Sequence, residues 1–396
     1  HPSISYPDCT FGKQTNTLHI MKFQIHSKSL YNALSAVSKV INSKNAMTIL
    51  NNFLFEVDNE SVKITASDLE NILTARVKIE NLEGEGGKFC VDARRCVELF
   101  KELPELNVDF SVDDNLAITI EYPGDKFNFV GINGNEYPTP KQEAQEIEPL
   151  VFECPVEQLV LGIDNTLFAV GTDDLRPQMM GILFDIKPDC ITFVATDTRK
   201  LVRYSNSMSA PGITASCIIP VKPATIIKNA FAKEEKVKVS LDTKSATIES
   251  GTYTFNCRFI KGVFPDYNRV IPANNPYSLT IDRHSMLNAL RRVGVFVDPG
   301  HGLVKFRITP DSIEMKAQDN NFCTSGRVEL PCSFTGNEMI IGFSAPYLIE
   351  ICNTLSTENI VIKLSDPSRP GVFVPEENDD DSDLLMLLMP MTVSNF

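Results

Sequence analysis

Three stretches of the sequence resemble one another at intervals as long as a whole domain; they span residues 51–77, 179–205 and 302–328. In each stretch an alternating strand turns at a polar pair, a second alternating strand ends on an acid, and a third strand follows. The acids Asp68, Asp197 and Asp319 are 129 and 122 residues apart. A period of this length indicates three tandem copies of one domain rather than a solenoid of short repeats.

Amphipathic helices are predicted before and after each repeated stretch. In the first, Leu30, Leu34, Val37 and Ile41 recur at spacings of three and four residues, which is typical of a helix with one apolar face. The six predicted helices cover residues 27–45, 92–103, 155–170, 221–236, 282–297 and 344–355. Each copy is therefore predicted to contain two strand–helix–strand–strand–strand halves, an α+β fold.

The predicted domains cover residues 21–143, 149–272 and 277–396, separated by polar, proline-bearing stretches. Residues 1–20 begin with His rather than Met and have neither a basic start nor an apolar core of the signal-peptide kind. They are expected to be a disordered extension outside the fold, arising from cloning or from the choice of start site.

The ten cysteines form no C-x-x-C pair and no cluster with histidines at zinc-binding spacing. This pattern favours reduced, mostly buried thiols in a cytoplasmic protein over a disulfide framework. The longest apolar run, 384–391, is much shorter than the roughly 18 residues that a membrane span needs, so no membrane association is expected.

No catalytic centre is predicted. The three histidines after residue 20 (His26, His284 and His301) lie in no metalloprotease or nucleophile motif, and the sequence has no glycine-rich phosphate loop. The repeated acids occur once per copy at the same strand end, which favours turn capping over catalysis. The acidic run 376–383 is interpreted as a solvated hairpin tip, because it lacks the spacing of a calcium loop. No cofactor and no metal are therefore expected.

The distribution of charge matters more than its total. With 37 Lys and Arg against 51 Asp and Glu, the net charge of −14 argues at first against a nucleic-acid partner. The predicted helical segments, with the last one counted to residue 359, nevertheless carry a net +3 and the remainder −17. Charge alone favours ordinary solvated helix faces, whereas repetition of the helices in three copies favours a shared basic surface.

Four short segments at the expected places resemble the bacterial sliding clamp, the beta subunit of the replicative DNA polymerase III holoenzyme. They are MKFQI (21–25), ATDTRKL (195–201), FPDYNRVIP (264–272) and MPM (389–391). The resemblance extends from Met21 to about Val393. It implies a head-to-tail homodimer whose six domains close a ring, with helices lining the hole and sheets outside. Such a ring encloses duplex DNA without reading its sequence.

The resemblance also implies three sets of functional residues. The residues expected to face DNA are Lys44, Arg94, Arg176, Lys222 and Arg292. The pocket for partner peptides is expected to contain Met179, Thr196, Thr198, Arg199, Leu201, Pro265, Val270, Leu387, Met389, Pro390 and Met391. The dimer interface is expected to contain Arg95, Lys126, Phe127, Phe129, Val295 and Phe296.

Two departures from the family pattern lie in the expected pocket. The family commonly has Gly-His where this chain has Thr198-Arg199, and an Arg after MPM where this chain has Thr392 and a longer tail. Because of these departures, the resemblance does not determine the pocket's shape or its peptide preference.

The partners implied by the resemblance are the alpha-type subunit of the replicative polymerase, the clamp loader, and other polymerases and repair proteins that carry clamp-binding motifs. The alternative is a three-domain peptide-binding scaffold that never encircles DNA.

Overall fold

The structure, a computed structural model, describes residues 20–138 and 147–396. Contacts divide these residues into two compact units. The first contains residues 20–138 except 70–72, and the second contains residues 147–396 together with 70–72. Apart from Ile20, the predicted N-terminal extension lies outside the described residues.

The first unit contains ten strands and two helices. In chain order they are β1 (Met21–His26), α1 (Ser27–Val37), β2 (Asn52–Val57), β3 (Ser61–Ser67), β4 (Asn71–Lys78), β5 (Glu80–Glu83), β6 (Lys88–Asp92), α2 (Ala93–Glu102), β7 (Asn107–Val112), β8 (Ala117–Tyr122), β9 (Asp125–Val130) and β10 (Ile132–Asn133). One antiparallel sheet has the strand order β5-β1-β7-β8-β9, and the other contains β10-β6-β2-β3-β4.

A stack of phenylalanine rings forms the centre of the first unit. Phe110 on β7 lies opposite Phe23 on β1, and their ring centroids are 5.2 Å apart. Phe55 and Phe100 stack on the same ring at 5.9 and 6.4 Å. Because all four side chains are buried, the stack joins both sheets and α2 into one core.

The second unit contains seventeen strands and four helices. In chain order they are β11 (Leu150–Pro155), α3 (Val156–Thr166), β12 (Gly181–Ile186), β13 (Ile191–Thr196), β14 (Lys200–Asn206), β15 (Ala215–Pro220), α4 (Val221–Ala230), β16 (Lys236–Leu241), β17 (Ser245–Glu249), β18 (Tyr253–Arg258), β19 (Tyr277–Asp282), α5 (Arg283–Val293), β20 (Leu303–Ile308), β21 (Ser312–Asp319), β22 (Thr324–Pro331), β23 (Ser333–Phe334), β24 (Met339–Ser344), α6 (Ala345–Thr354), β25 (Asn359–Leu364), β26 (Gly371–Pro375) and β27 (Ser382–Leu388).

One long sheet runs through the second unit, with the strand order β15-β12-β13-β14-β27-β26-β25-β19-β23. It is continuous because β14 pairs with β27 along its whole length, from Lys200–Leu388 to Asn206–Ser382. Two four-stranded arrangements, β18-β17-β16-β11 and β22-β21-β20-β24, complete the unit. The second and third copies of the repeat are therefore joined by a shared sheet.

The order strand–helix–strand–strand–strand occurs six times, twice in each copy. In the described ranges, three short strands (β5, β10 and β23) and seven 3₁₀-helices are added to this pattern. The predicted α+β fold of three tandem copies is confirmed.

All six helices are shorter than predicted, and the difference is largest in α1 and α4. Helix α1 ends at Val37 and is followed by a 3₁₀-helix, Ser38–Val40, after which Ile41 is extended. Lys44 therefore lies in a loop. Helix α4 ends at Ala230 because Phe231 turns into the core, where its ring contacts Tyr253 at 5.8 Å. Lys236 then begins a strand instead of ending a helix.

Helix charge and the state of the cysteines agree with the sequence. With the observed bounds, the six helices carry nine Lys and Arg against five Asp and Glu. All nine cysteines in the described ranges are free, and six of them are buried, which confirms the prediction for these nine. None of the helices seen here has the length and apolar character needed to cross a membrane.

Candidate functional site

An apolar cluster lies on the long sheet of the second unit, where strands of the second and third copies meet. Its buried members are Leu183, Val194, Leu201, Ile218, Phe264 and Leu387. Ile260, Tyr267, Ile271 and Leu385 pack against it and are partly buried. Leu201 on β14 lies directly opposite Leu387 on β27. Leu201 and Leu387, both predicted pocket residues, therefore belong to this apolar cluster.

The segment after β18 covers this cluster. The Ile260 N–H donates to the Ile218 carbonyl at 3.0 Å, and the Tyr267 hydroxyl donates to Asp185 Oδ2 at 3.0 Å. Burial, followed by the Asp185 charge, raises the pKa of Tyr267 to about 12. Pro265 is half-buried and Val270 is 53% exposed. The segment therefore presents accessible apolar atoms at the edge of the cluster.

The turn between β13 and β14 leads directly to Leu201, a member of the cluster. Asp197 Oδ1 accepts hydrogen bonds from the N–H groups of Arg199 and Lys200, at 2.9 and 2.8 Å. The Thr196 hydroxyl donates to the Lys200 carbonyl at 2.8 Å. Thr198, at the tip, has φ of +78°. This geometry confirms that Asp197 caps a turn.

Asp319 has the same role in the third copy. Its Oδ1 accepts from the N–H groups of Asn321 and Phe322, at 2.8 and 3.3 Å. The carboxylates of Asp197 and Asp319 are therefore engaged by backbone donors, as turn capping requires.

The segment Met389–Met391 lies between the second and third copies. The Met389 N–H donates to the Arg199 carbonyl, and the Met391 N–H donates to the Gly342 carbonyl, both at 2.8 Å. The Met389 side chain is 42% exposed. These two hydrogen bonds fix the segment to β24 and to the turn before β14.

The main-chain carbonyl of Met179 accepts a hydrogen bond from Gly171 and not from the segment Met389–Met391. Met179 ends the 3₁₀-helix Pro177–Met179, and its carbonyl accepts from the Gly171 N–H at 2.8 Å. Its side chain is half-buried.

Lys200 lies in the same region and is not among the predicted pocket residues. Only 6% of it is exposed. Its Nζ lies 3.1 Å from Glu350 Oε2, 3.5 Å from Asp197 Oδ2 and 3.9 Å from the centre of the Tyr347 ring. It therefore joins the second copy to helix α6 of the third. Lys200 lies within the ATDTRKL segment, but nothing in the sequence reveals partners 150 residues away.

The residues predicted to face DNA lie on helices and loops. Arg94 in α2 is paired with Glu98 at 3.0 Å, and Arg176 is paired with Asp173 at 3.1 Å. Lys44 is exposed in its loop, Lys222 is half-buried in the first turn of α4, and Arg292 is exposed in the last turn of α5. Pairing with acids reduces the net positive charge that Arg94 and Arg176 present.

Three of the residues predicted at the dimer interface, Lys126, Phe127 and Phe129, lie on an open sheet edge of the first unit. Strand β9 is the last strand of its sheet, with Lys126 paired to Glu121 at 2.9 Å. Phe127 and Phe129 are half-buried, and Arg95 on α2 is exposed. Unpaired edge strands expose N–H and C=O groups that can bind another strand.

The second unit has an open edge of its own at β22, the first strand in β22-β21-β20-β24. Val295 and Phe296 follow α5, which contacts β22. Val295 is 77% exposed, whereas Phe296 packs so closely on Gly326 of β22 that a Cβ there would lie 2.5 Å from its ring. An apolar surface thus lies beside this edge.

Residues 376–381 of the acidic run form the tip of the β26–β27 hairpin, as predicted, whereas Ser382 and Asp383 begin strand β27. Arg203 Nη2 lies 2.7 Å from Asp383 Oδ2, and the Asn359 amide donates to Glu376. Within residues 20–138 and 147–396, no group of three or more His, Cys, Asp or Glu side chains is arranged to hold a metal ion.

Family models match consecutive segments of the chain. The N-terminal domain of the DNA polymerase III beta subunit matches residues 21–141, the central domain 153–266 and the C-terminal domain 268–392. The three matches together cover most of the sequence.

Relatives and solved structures agree with these matches. A beta sliding clamp of Chlamydia muridarum is 25% identical over 376 residues, covering 94% of this chain and 99% of the relative. One of Pseudomonas putida is 26% identical, covering 94% of this chain and all of the relative. The crystal structure of a Bartonella birtlesii sliding clamp bound to griselimycin is 26% identical, with a TM-score of 0.86, 95% coverage of this chain and 100% of the other. A Pseudomonas aeruginosa clamp bound to the same ligand has a TM-score of 0.87 at 24% identity, with 94% and 100% coverage.

Proposed function

Because this chain belongs to the DNA polymerase III beta subunit family, the bacterial sliding clamps, we propose that two copies close head to tail into a ring around duplex DNA. The ring tethers the replicative polymerase and other partners to the template as a processivity factor. It acts by enclosure and by binding, without catalysis, cofactor or metal, in the cytoplasm. The domains of this proposal are residues 21–143, 149–272 and 277–396.

The observation that carries the ring proposal is one open sheet edge in each unit with apolar side chains beside it. Strand β9 ends a sheet in the first unit, and β22 ends a sheet in the second. In a head-to-tail dimer, β9 of each chain can pair with β22 of the other chain. These two pairings leave neither β9 nor β22 unpaired in either chain. The half-buried Phe127 and Phe129 and the exposed Val295 supply apolar surface beside these edges.

Helix charge supports DNA as the enclosed partner. The helices carry a net positive charge, whereas the rest of the sequence carries 28 Lys and Arg against 46 Asp and Glu. In a ring lined by helices, Lys44, Arg94, Arg176, Lys222 and Arg292 face the phosphates. Phosphate contacts of this kind are independent of sequence and weaken with salt, so the ring slides.

The apolar cluster supports a peptide-binding pocket. Its edges carry Val270 and Met389, which are 53% and 42% exposed, so apolar side chains of a partner can bury surface there. Methionine suits a site that accepts several partners, because its flexible thioether repacks around different side chains. The predicted residues Met179, Pro265, Pro390 and Met391 complete the proposed wall.

The ring proposal is tested by loading the protein onto nicked circular DNA with a clamp loader. Retention on the circle and loss after linearisation are expected, because only enclosure depends on DNA ends. The matched variant Phe129→Lys on β9 should be monomeric by light scattering and should not be retained. Binding that survives linearisation would favour the peptide-binding scaffold that does not encircle DNA.

The pocket proposal is tested with a fluorescent peptide that carries the clamp-binding motif of an alpha-type polymerase subunit. Deleting residues 389–396 should abolish binding, because the deletion removes one wall of the pocket. Retained affinity would contradict the pocket assignment without affecting the ring proposal.

A further inference from the structure

The last long strands of the three copies are β9, β18 and β27. After each of them the chain passes to another sheet and contacts one of its strands. In every case it makes a backbone contact with the strand that precedes the second helix of that copy. The three contacts are Ile132 with Cys90 on β6, Ile260 with Ile218 on β15, and Met391 with Gly342 on β24. The segment from Met391 onward is thus the third copy's counterpart of two covering segments elsewhere in the chain.

Each returning segment has an aromatic residue four or five positions after its contact: Tyr137, Phe264 or Phe396. Tyr137 and Phe264 are buried in apolar clusters, at 4% and 9% exposure. The surface beneath Phe396 is different, because it is basic. The Arg307 guanidinium lies 4.3 Å and Lys316 Nζ 4.9 Å from the centre of the Phe396 ring.

Two further contacts hold the same segment. Lys305 Nζ donates to the Asn395 carbonyl at 2.6 Å. Val393 lies so close to Gly342 that a Cβ at this glycine would be 2.7 Å from Val393 Cγ2. Residues 391–396 therefore form a strap that crosses β24 and reaches β20 and β21 of the third copy.

The geometry points to a role for this strap: Phe396, held on Arg307 and Lys316, is a positioning residue that fixes Met389–Met391 at the pocket wall. Met389 is anchored on one side by the Arg199 carbonyl, and Met391 on the other by Gly342. Beyond Met391 the chain is held at three places: Val393 lies against Gly342, and Asn395 and Phe396 contact β20 and β21. The strap thus keeps the Met391–Gly342 hydrogen bond closed.

Partner binding is the consequence of this role, and for that consequence the inference depends on the proposed pocket. A wall that is already ordered costs a peptide less conformational entropy on binding. The strap therefore tightens peptide binding without touching the peptide.

The test uses the full chain with Phe396→Ala and Arg307→Gln, and with Phe396→Tyr as the conservative variant. Arg369→Gln is the matched control, because Arg369 is an exposed arginine paired with Asp366 in the β25–β26 loop, outside the strap contacts. The first measurement is amide hydrogen exchange at Met391. The second is the Kd for the fluorescent peptide.

Phe396→Ala and Arg307→Gln should speed Met391 exchange about tenfold and raise the peptide Kd about three- to tenfold, whereas Phe396→Tyr and Arg369→Gln should change neither. Unchanged Met391 exchange in Phe396→Ala would overturn the strap. Faster exchange with an unchanged Kd would overturn its role at the pocket. If the unmodified chain does not bind the peptide, the proposed pocket fails, while Met391 exchange still decides whether the strap holds.

Discussion

Lys200 Nζ lies 3.1 Å from Glu350 Oε2 and connects strand β14 of the second copy to helix α6 of the third. The lysine is buried, whereas 42% of the Glu350 side chain is exposed. Asp197 and the Tyr347 ring surround the same ammonium group. Two copies that share a sheet are thus also joined through one buried charge, beside the apolar cluster that contains Leu201.

Replacing Lys200 with Met should destabilise the second unit by about 1–2 kcal/mol. A fully buried ion pair that loses one partner costs about 3–5 kcal/mol, and the exposure of Glu350 reduces this figure. Urea denaturation measures the loss. The control is Lys238→Met, because the 3.6 Å pair of Lys238 with Glu249 is exposed on both sides and should contribute less than about 1 kcal/mol. Equal losses in both variants would contradict the bridging role of Lys200.

Replacing Thr198 with Gly should stabilise the protein by about 1 kcal/mol. The φ of +78° at Thr198 is unfavourable for a β-branched side chain, and such strain costs about 1–3 kcal/mol. Some of the gain is lost because glycine is more flexible in the unfolded chain. Thermal unfolding measures the change. Thr198→Ala keeps a Cβ, so an equal gain in that variant would show that backbone strain is not the cause.

The repeat made the fold predictable from sequence, because a pattern that occurs three times reveals strands and helices that one copy alone leaves ambiguous. Helix ends were less predictable. Lys44 and Lys236 continue a plausible helical pattern, but Ile41 is extended and Phe231 turns into the core. Tertiary packing decided both ends.

The candidate pocket was only partly predictable. The short segments around Leu201, Phe264 and Met389 resemble those of a known family, and this resemblance predicts that they belong to the pocket. The pairing of β14 with β27 and the Lys200–Glu350 contact join residues more than 100 positions apart. No local pattern in one sequence encodes such a contact.

Charge reversal at Lys44 should shorten the time the protein stays on circular DNA more than reversal at Arg94. Lys44 is exposed, whereas Arg94 is already paired with Glu98 at 3.0 Å. Each lost phosphate contact should also reduce the slope of log K against log salt by about 1. Retention is measured at several salt concentrations, with Arg369→Glu as a control outside the helices. Unchanged retention in Lys44→Glu would contradict its place facing DNA.

Alkylation of the native protein should modify Cys323 far faster than Cys257. Cys323 is exposed, whereas burial raises the pKa of Cys257 to about 12 and leaves almost no thiolate at neutral pH. Iodoacetamide labelling with peptide mass spectrometry assigns each site. Similar labelling rates at Cys323 and Cys257 in the folded protein would contradict the burial of Cys257. Labelling in urea is the control that both thiols react once the protein is unfolded.

Stability should fall between about pH 10 and pH 12 more steeply in the unmodified protein than in Tyr267→Phe. An unfolded tyrosine ionises near pH 10, whereas burial and Asp185 raise the pKa of Tyr267 to about 12 in the folded state. Between these two pKa values the folded state keeps the phenol proton and the unfolded state loses it, so the free energy of unfolding falls as pH rises. The contribution of Tyr267 to this free energy is therefore complete below pH 10 and is lost as pH approaches 12. Urea unfolding at pH 8, 10 and 11 gives the slope, and absorbance at 295 nm follows the phenol directly. Parallel stability curves for the two proteins across this range would contradict the raised pKa of Tyr267.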